Sequence, residues 1–429
     1  RWYCFLLLLY AISRQKSTIC CDRALKMIFE LLHGVYFVPG AINGAIYDLK
    51  NERLYAVNHE TNIFLIKYCQ NVLMSLSDEE MAYIEKLCQE NLLSRDYFPK
   101  KFIDRQDAPK NKLNFAWLEV TQVCNLRCLH CYEGETHLAT KHSLSVDDWK
   151  NIINQLYLVG CKSIQFIGGE PSCYPRIIDL LDYAGEFKFS KIGFFTNATF
   201  LSAELIQAVK RNRVNVHVSL YGHTATLHDS ITTIKGSFEK TTTTISLLLA
   251  EKIPVSVAIT IMKENEQYFE DIIRFVEAIG IAKFKFDLVR DVKGCQQNCH
   301  LANRRDLIEK KYMVRPNFTI SKEKFYKALC KNTCWYGKFA ISDNGDVYPC
   351  VFEREIKYGN LFNTTISELL NSKILTEYWN LDFSKIEECK CCEYRYACKD
   401  CRPLGKLKGA NAKNTRCLYQ PLLGEWSTT

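Results

Sequence analysis

The chain has 429 residues, of which 47% are hydrophobic and 24% charged, a composition that excludes a fibrous or disordered protein. Its net charge is +8, but no run of consecutive basic residues concentrates this charge, so nucleic acid is not an expected partner. No stretch approaches the roughly 18–20 apolar residues of a membrane helix, so we expect no membrane partner. The 21 cysteines are too many for a protein of this size to need as disulfides. We expect a cytoplasmic protein whose clustered cysteines serve metal or redox chemistry.

The first part of the chain predicts a small module between two less informative segments. Residues 1–35 contain a short apolar run and receive no role. Residues 36–94 predict a winged-helix-like α+β unit, and the polar residues 95–112 predict a linker. The predicted elements of the unit are two strands, Ile42–Asp48 and Leu54–Val57, and two helices, Glu60–Gln70 and Asp78–Glu90.

Residues 113–325 alternate between strand and helix signals, as a βα-repeat fold requires. Six short apolar or β-branched runs predict strands at Phe115–Thr121, Ser163–Ile167, Ile192–Thr196, Val214–Leu220, Val255–Ile261 and Phe284–Val289. Helical patterns lie at Ser145–Leu158, Ala203–Lys210, Ser237–Glu251 and Gln267–Ile279. We therefore predict an α/β fold, a partial (β/α)6 barrel of the TIM type, with its chemistry at the C-terminal ends of the strands.

Three cysteines, Cys124, Cys128 and Cys131, follow the first predicted barrel strand. Thiolates hold [4Fe–4S] clusters, and three of them leave one iron without a protein ligand. A small molecule can bind and react at such an open position. The alternative is a zinc site, for which His130 or His137 would be the fourth ligand.

These cysteines resemble the motif of the radical SAM superfamily, Cys-x3-Cys-x-aromatic-Cys, with His130 at the aromatic position. After the second strand, Gly168-Gly169-Glu170-Pro171 resembles the GGEP motif of the same family. The resemblance implies that Gly168 and Gly169 let the backbone approach the cofactor closely. It also implies that Glu170 accepts a hydrogen bond from the ammonium group of S-adenosylmethionine (SAM).

Further polar residues stand where members of this family contact SAM. The resemblance places His130, Asn197, Ser219 and Asn265 in the SAM site, although Asn197 and Ser219 could equally be cap or turn residues. Relatives often carry an arginine where residues 231–237 offer only Lys235. The implied chemistry is reductive cleavage of SAM at the [4Fe–4S] cluster to a 5′-deoxyadenosyl radical, which takes a hydrogen atom from the substrate. No catalytic residue beyond the cluster ligands is predicted.

The C-terminal segment, residues 326–429, resembles a SPASM domain, which holds two auxiliary [4Fe–4S] clusters. The resemblance assigns Cys330, Cys334, Cys350 and Cys401 to the first auxiliary cluster, and Cys389, Cys392, Cys398 and Cys417 to the second. Cys295 and Cys299 compete with Cys330 for its position, and Cys391 is surplus. A pair of zinc knuckles is the alternative.

The N-terminal module resembles a RiPP recognition element, a small domain that captures a leader peptide by strand addition. The stretches Cys334–Cys350 and Cys392–Cys398 resemble maturases of cysteine-rich ribosomal peptides. Together they imply an enzyme that oxidatively installs a cross-link, a thioether by preference, in a ribosomally made precursor peptide with a leader and a cysteine-rich core. A flavodoxin or ferredoxin would donate electrons. An ordinary N-terminal subdomain remains the alternative for the module.

Two other functions stay open. An anaerobic sulfatase maturase forms formylglycine, but in those enzymes an aspartate follows the position of Cys350, where this chain has Val351. A protein of another class, a non-catalytic iron–sulfur electron carrier or a zinc-binding adaptor, would not cleave SAM. The sequence does not identify the precursor peptide, the bond formed, the proton acceptor or the oligomeric state.

Overall fold

A computed structural model of the chain describes residues 27–72, 75–102, 110–134, 144–292, 298–312 and 319–427. Its contacts divide the chain into two units. The barrel unit holds residues 110–311 and 335–378, and the terminal unit holds residues 1–109, 312–334 and 379–429. The predicted SPASM segment is therefore shared between the two units. Residues 1–26, His137 and Cys295 lie outside the described residues, as do residues 103–109 of the predicted linker.

The N-terminal part of the terminal unit is an antiparallel sheet with two helices. Its elements are β1 (Phe29–Leu32), β2 (Val35–Pro39), β3 (Gly44–Asp48), β4 (Arg53–Val57), α1 (His59–Cys69), α2 (Asp78–Gln89) and β5 (Lys100–Lys101). The sheet order is β4-β3-β2-β1-β5, so β4 is an edge strand in the part of the chain that the structure describes. Two strands and two helices are confirmed at β3, β4, α1 and α2, whereas β1 and β2 have no predicted counterpart.

The barrel unit contains six parallel strands in sequence order, and the predicted α/β barrel is confirmed. The strands are β6 (Phe115–Glu119), β7 (Ser163–Ile167), β8 (Lys191–Thr196), β9 (Asn215–Ser219), β10 (Val255–Ile261) and β11 (Phe284–Leu288). The helices that accompany them are α3 (Val146–Leu158), α4 (Ile177–Gly185), α5 (Ala203–Arg211), α6 (Ala225–Thr232), α7 (Ser237–Ala250) and α8 (Phe269–Ala278). Ser145 caps α3 in a capping box with Asp148, as predicted.

A hairpin from the C-terminal segment extends this sheet. The later elements of the chain are α9 (Arg305–Tyr312), α10 (Lys322–Cys330), β12 (Lys338–Ile341), β13 (Asp346–Tyr348), β14 (Gly359–Asn360), α11 (Ile366–Leu370), α12 (Lys373–Trp379), α13 (Arg402–Lys406), β15 (Tyr419–Gln420) and β16 (Glu425–Trp426). β12 pairs in parallel with β6, with Lys338 opposite Phe115. The strand therefore continues the barrel sheet beyond its first strand, with β13 and β14 following in antiparallel order.

In the terminal unit, one core joins the N-terminal sheet to the C-terminal cysteine loops. Phe325 is fully buried there, and its ring lies 5.1 Å from the rings of both Tyr36 and Tyr47 and 5.4 Å from that of Tyr396. The Tyr47 hydroxyl donates to the Glu393 carbonyl over 2.7 Å. Two segments that the sequence assigns to separate domains thus bury a common apolar surface. Among the described residues, no helix is both long and apolar enough to cross a membrane.

Candidate active site

The loop that carries Cys124, Cys128 and Cys131 begins where β6 ends and is fastened to the end of α6. The amides of Arg127 and Leu129 donate to the carbonyls of Thr232 and Ile231, over 3.1 and 2.9 Å respectively. The three cysteines therefore lie at the C-terminal edge of the barrel strands, where this fold class places its chemistry.

The three thiols of this loop are near one another and largely withdrawn from water. Burial is the main cause that raises the pKa of Cys124 to about 12 and the pKa of Cys128 further, and Cys128 is also affected by the charges of Cys124 and Cys131. No three potential ligands among the described residues are arranged as a finished metal site. Buried, clustered thiols of this kind lose their protons when a metal binds, so the donor set fits an iron–sulfur cluster.

Gly168 and Gly169 pack against the chain itself. Gly168 has φ +147°, and a Cβ atom there would lie 2.2 Å from the Thr121 carbonyl oxygen. A Cβ atom on Gly169 would lie 2.4 Å from the Gln122 carbonyl oxygen. The expectation that these glycines make room for the cofactor is therefore incomplete, because the space they leave is filled by the backbone that leads to Cys124.

Glu170 is buried and already accepts three hydrogen bonds. Its carboxylate receives the Thr196 hydroxyl over 2.6 Å, the Asn197 amide over 2.7 Å and the Ser172 amide over 3.1 Å. Burial raises the pKa of Glu170, while these donors lower it. Glu170 therefore joins the glycine loop to the end of β8. An ammonium group bound by Glu170 would share the carboxylate oxygens with these three donors.

Asn197 connects the end of β8 to the cysteine loop. Its Nδ2 donates to Asn125 Oδ1 over 2.8 Å and lies 4.0 Å from Cys124 Sγ. Asn125 in turn donates to the Thr199 hydroxyl over 2.8 Å. The structure thus brings a predicted SAM-contact residue next to a predicted cluster ligand.

His130 lies beside Tyr221, which follows the last residue of β9 by two positions and which no sequence motif predicted. Their ring centroids are 4.5 Å apart, and Tyr221 also packs against Cys128. Burial lowers the pKa of His130 to about 3, and its buried Nδ1 has no hydrogen-bond partner among the described residues. An orphaned ring nitrogen at this point fits a polar group of bound SAM. Ser219, the last residue of β9, is also buried and precedes Tyr221 by two positions.

Asn265 is fully buried, and its side-chain amide is used within the protein. Oδ1 accepts from the Met262 amide over 2.8 Å, and Nδ2 donates to the carbonyls of Tyr221 and Thr260, each over 2.9 Å. The residue ties the loop after β10 to the loop after β9. A hydrogen bond from Nδ2 to SAM would have to replace one of these two bonds, because both of its hydrogens are already used.

The structure brings together the four cysteines predicted for the second auxiliary cluster. They are Cys389, Cys392, Cys398 and Cys417, all in the terminal unit. Burial is the main cause that raises the pKa of each thiol, and Cys398 is also affected by the charges of Cys417 and Cys389. As in the loop of Cys124, thiols that are buried together fit a metal site with thiolate ligands.

Two buried arginines accompany these four cysteines. Arg395 Nη1 donates to the Cys392 carbonyl over 2.7 Å, and the charge of Arg402 lowers the pKa of the Cys389 thiol. Arg395 Nη2 and Arg402 Nη1 are buried and have no hydrogen-bond partner among the described residues. Buried donors without partners are costly, and an anionic cluster would satisfy both their charge and their hydrogen bonds.

The cysteines predicted for the first auxiliary cluster are divided by the boundary between the units. Cys330, Cys334 and Cys401 belong to the terminal unit, and Cys350, which is buried, belongs to the barrel unit. Cys330 ends α10. The Asp400 amide donates to the Thr333 hydroxyl over 3.4 Å, which joins the segments that carry Cys334 and Cys401. The rival Cys299 is exposed.

The barrel unit also contains a group of charged residues that no sequence motif predicted. Arg354 Nη2 donates to Glu119 Oε1 and to Glu133 Oε1, each over 2.6 Å. The guanidinium carbon lies 5.0 Å from the centre of the Tyr348 ring. Glu119 ends β6, and Glu133 follows Cys131 by two positions, so the arginine links the first strand to the cysteine loop.

Comparisons with known proteins agree with this geometry. Residues 118–276 match the family profile of the radical SAM superfamily, and residues 330–393 match that of SPASM, an iron–sulfur cluster-binding domain. The antilisterial bacteriocin subtilosin biosynthesis protein AlbA of Bacillus subtilis (strain 168) is 28% identical over 312 residues, 69% of this chain and 68% of AlbA. An AdoMet-dependent heme synthase of Methanosarcina barkeri (strain Fusaro) is 23% identical over 339 residues, 71% of this chain and 96% of the synthase. The crystal structure of Streptococcus suis SuiB superposes with a TM-score of 0.59 at 16% identity, covering 91% of this chain and 100% of SuiB.

A partial α/β barrel with grouped thiols at the end of its first strand is the arrangement expected of an iron–sulfur enzyme. The chain carries a radical SAM domain and a SPASM domain and is a radical SAM enzyme. Its cofactors are SAM, a [4Fe–4S] cluster and the auxiliary iron–sulfur clusters of the SPASM domain. The alternatives of a zinc adaptor and of a non-catalytic electron carrier are thereby set aside.

Proposed function

We propose that this enzyme matures a ribosomally made, cysteine-rich precursor peptide by installing an oxidative cross-link, a thioether between a cysteine sulfur and a carbon of the same peptide. The relatives that support this are AlbA, a bacteriocin biosynthesis protein, and SuiB, one of whose structures is bound to the precursor peptide SuiA. The superposition with that complex covers 91% of this chain.

The observation that carries the proposal is the edge strand β4 of a sheet that shares its core with the cysteine loops. An edge strand with unpaired backbone groups can take up an extended leader peptide as a further strand. Because the Tyr47 hydroxyl and the Ala41 amide bond the carbonyls of Glu393 and Cys391, over 2.7 and 2.9 Å, the sheet is fixed to the segment that carries the second set of thiols.

The residues around the cysteine loop hold and orient the cofactors. Bound SAM and the reduced cluster together supply a 5′-deoxyadenosyl radical, the reagent that removes a hydrogen atom from the peptide. In this proposal Cys124, Cys128 and Cys131 would be the ligands of the cluster, and His130 and Asn197 would contact SAM. The eight C-terminal cysteines would hold two auxiliary clusters, whose chemistry there would be to accept the electron that cross-linking releases. A flavodoxin or ferredoxin supplies the reducing electron.

Formylglycine formation is the alternative reaction within radical SAM chemistry. It is less well supported, because Val351 follows Cys350 where sulfatase maturases have an aspartate. Heme synthesis is a third candidate reaction, because the relative from Methanosarcina barkeri is an AdoMet-dependent heme synthase. A peptide assay separates all three reactions once any disulfides have been reduced. Thioether formation removes two hydrogen atoms and consumes a cysteine thiol, whereas formylglycine formation from serine also removes two hydrogen atoms but leaves every thiol free and adds an aldehyde. Formylglycine formation from cysteine exchanges sulfur for oxygen, and heme synthesis leaves a peptide unchanged.

The test is anaerobic co-expression with each short cysteine-containing reading frame beside the gene, followed by mass spectrometry of the peptides. We expect a loss of two hydrogen atoms per cross-link and 5′-deoxyadenosine that depends on reductant. Purified enzyme should contain about twelve irons, as three [4Fe–4S] clusters require, and Cys398→Ala should lower this number by about four. Cys161→Ala removes a buried thiol outside the predicted ligand sets and is the matched control. Intact peptides with ample 5′-deoxyadenosine would contradict the proposal.

A further inference from the structure

Glu119 ends the first barrel strand on the face that looks into the barrel. It lies opposite Ile167 on β7, and residues that oppose each other in neighbouring strands share one face of the sheet. Ile167 packs with Trp117, two positions before Glu119, and with Phe195 on β8. Glu119 therefore belongs to the inner wall of the barrel, at the same end of the strands as the cysteine loop.

A single guanidinium serves two carboxylates at this point. Glu119 and Glu133 each accept from the same nitrogen, Arg354 Nη2. The Glu119 side chain is 6% exposed and that of Glu133 is 16% exposed. Two like charges this close together in a place with little water favour the uptake of a proton by the more buried carboxylate, Glu119.

The charges that face Glu119 come from three segments of the barrel unit. The pKa of Glu119 is raised to about 7, chiefly by burial and further by the charges of Glu133 and Asp343, while Arg354 lowers it. A carboxylate of this kind both accepts and releases a proton near neutral pH, which is what a general base requires.

We propose that Glu119 is the proton acceptor of the cross-linking reaction and that Arg354 is the residue that positions it. This inference rests on the peptide-maturase function proposed above. Making a thioether breaks one C–H and one S–H bond of the peptide and forms one C–S bond. The carbon would lose a hydrogen atom to the 5′-deoxyadenosyl radical, which becomes 5′-deoxyadenosine. An auxiliary iron–sulfur cluster would take one electron, and Glu119 would take the proton of the thiol.

The place of Arg354 in the chain supports this assignment. It follows Cys350 by four positions, and its partner Glu133 follows Cys131 by two. Both loops belong to the barrel unit. Arg354 thus holds the candidate base between a loop that carries a SAM-cluster ligand and a loop that carries an auxiliary-cluster ligand, where hydrogen abstraction and electron loss would take place.

Infrared difference spectroscopy of the anaerobically purified holoenzyme tests the protonation without any peptide. We expect a protonated carboxyl band that is lost with a midpoint near pH 7 and whose amplitude is smaller in Glu119→Gln. The remainder comes from Glu393 in the terminal unit, because burial also raises the pKa of that residue to about 7. Glu186→Gln, which alters an exposed carboxylate of the same unit, should leave the band in place. Identical titrations of the wild-type enzyme and Glu119→Gln would overturn the inference, whatever the peptide substrate is.

A second test uses the precursor peptide that the wild-type enzyme modifies. Glu119→Gln should lower the ratio of cross-linked peptide to 5′-deoxyadenosine by about 100-fold, the usual order for a lost general base, and Glu119→Asp should restore part of it. The rate should rise with pH through the pKa of Glu119. That rise should move to higher pH in Arg354→Met, which loses the stabilising cation, and to lower pH in Glu133→Gln, which loses the like charge.

The outcomes separate this inference from the function on which it rests. If wild-type enzyme makes 5′-deoxyadenosine but alters no peptide, the proposed function fails, and the infrared titration still decides whether Glu119 exchanges a proton. If wild-type enzyme cross-links its peptide and Glu119→Gln does so with the same ratio and pH profile, only the role of Glu119 fails. A structural role for Arg354 would lower all rates without moving the pH profile.

Discussion

The Thr196 hydroxyl donates to Glu170 Oε1 over 2.6 Å, and this hydrogen bond joins the end of the third barrel strand to the glycine loop after the second. Both side chains are almost completely buried. The pair fixes the relative position of two loops that the SAM site requires, so it can be tested without knowing the peptide substrate.

Thr196→Val should destabilise the fold by about 1–3 kcal/mol, because it leaves a buried carboxylate with one donor fewer. The same change should raise the pKa of Glu170, since the lost hydrogen bond lowers it. Denaturant unfolding measures the stability, and equilibrium dialysis measures a weaker affinity for SAM. Thr242→Val removes a hydroxyl that bonds only its own helix and should change neither quantity appreciably. Equal effects of the two variants would contradict the assigned role of Thr196.

Gly168→Ala should cost at least about 3 kcal/mol, since backbone strain and steric overlap with the Thr121 carbonyl add to each other. Gly160→Ala is the matched control. Gly160 has φ +77° but open space around its Cα, so this variant should cost about 1–2 kcal/mol from strain alone. Thermal and denaturant unfolding provide the comparison. A Gly168→Ala variant as stable as the control would show that the two loops can move apart.

Phe325→Ala should destabilise the terminal unit by about 3–5 kcal/mol, because the ring is fully buried among aromatic neighbours. The N-terminal sheet and the cysteine loops share this core, so iron content and hydrogen-exchange protection of β2 and β3 should fall together. Phe98→Ala removes a ring that is 79% exposed in the same unit and should affect neither. Loss of protection in the sheet with full iron content would mean that the two parts fold independently.

The stability of the enzyme should decrease as the pH rises from about 4.5 toward about 7, to the extent that Glu119 determines it. Its pKa in the folded state lies above its unfolded value, so the folded state binds more protons in this range and loses that advantage as the proton leaves. Glu119→Gln, which is neutral at every pH, should flatten this part of the profile. Denaturant unfolding at a series of pH values measures the effect, and Glu186→Gln should leave the wild-type slope unchanged.

The sequence predicted the barrel strands well because they are short, buried and bounded by turn residues. Ser163–Ile167 and Val255–Ile261 have the predicted bounds, and the others differ by one or two residues at their ends. The cysteine loop and the glycine loop were found for the same reason, since each is a local motif at the end of a strand. What they contact was not predictable, and the glycines proved to face the chain's own backbone.

The features that escaped prediction join residues far apart in the chain. Glu119 and Arg354 are separated by 235 positions, and neither lies in a recognisable motif. Tyr221 meets His130 only because two barrel loops converge at the same edge of the sheet. β12 beside β6 and the core around Phe325 likewise depend on pairings that no periodicity along the chain encodes.

The core around Phe325 also affects how the protein is made. β2 and β3 leave the ribosome before the barrel, yet they pack against Tyr394, Tyr396 and Tyr419, which are synthesised after it. An apolar face of the sheet must therefore stay uncovered throughout synthesis of the barrel. Such delayed, long-range contacts slow folding and expose the nascent chain to aggregation. We expect chaperones and slow translation to raise the soluble yield, and removal of the last fifty or so residues to leave the first hundred unable to complete their fold.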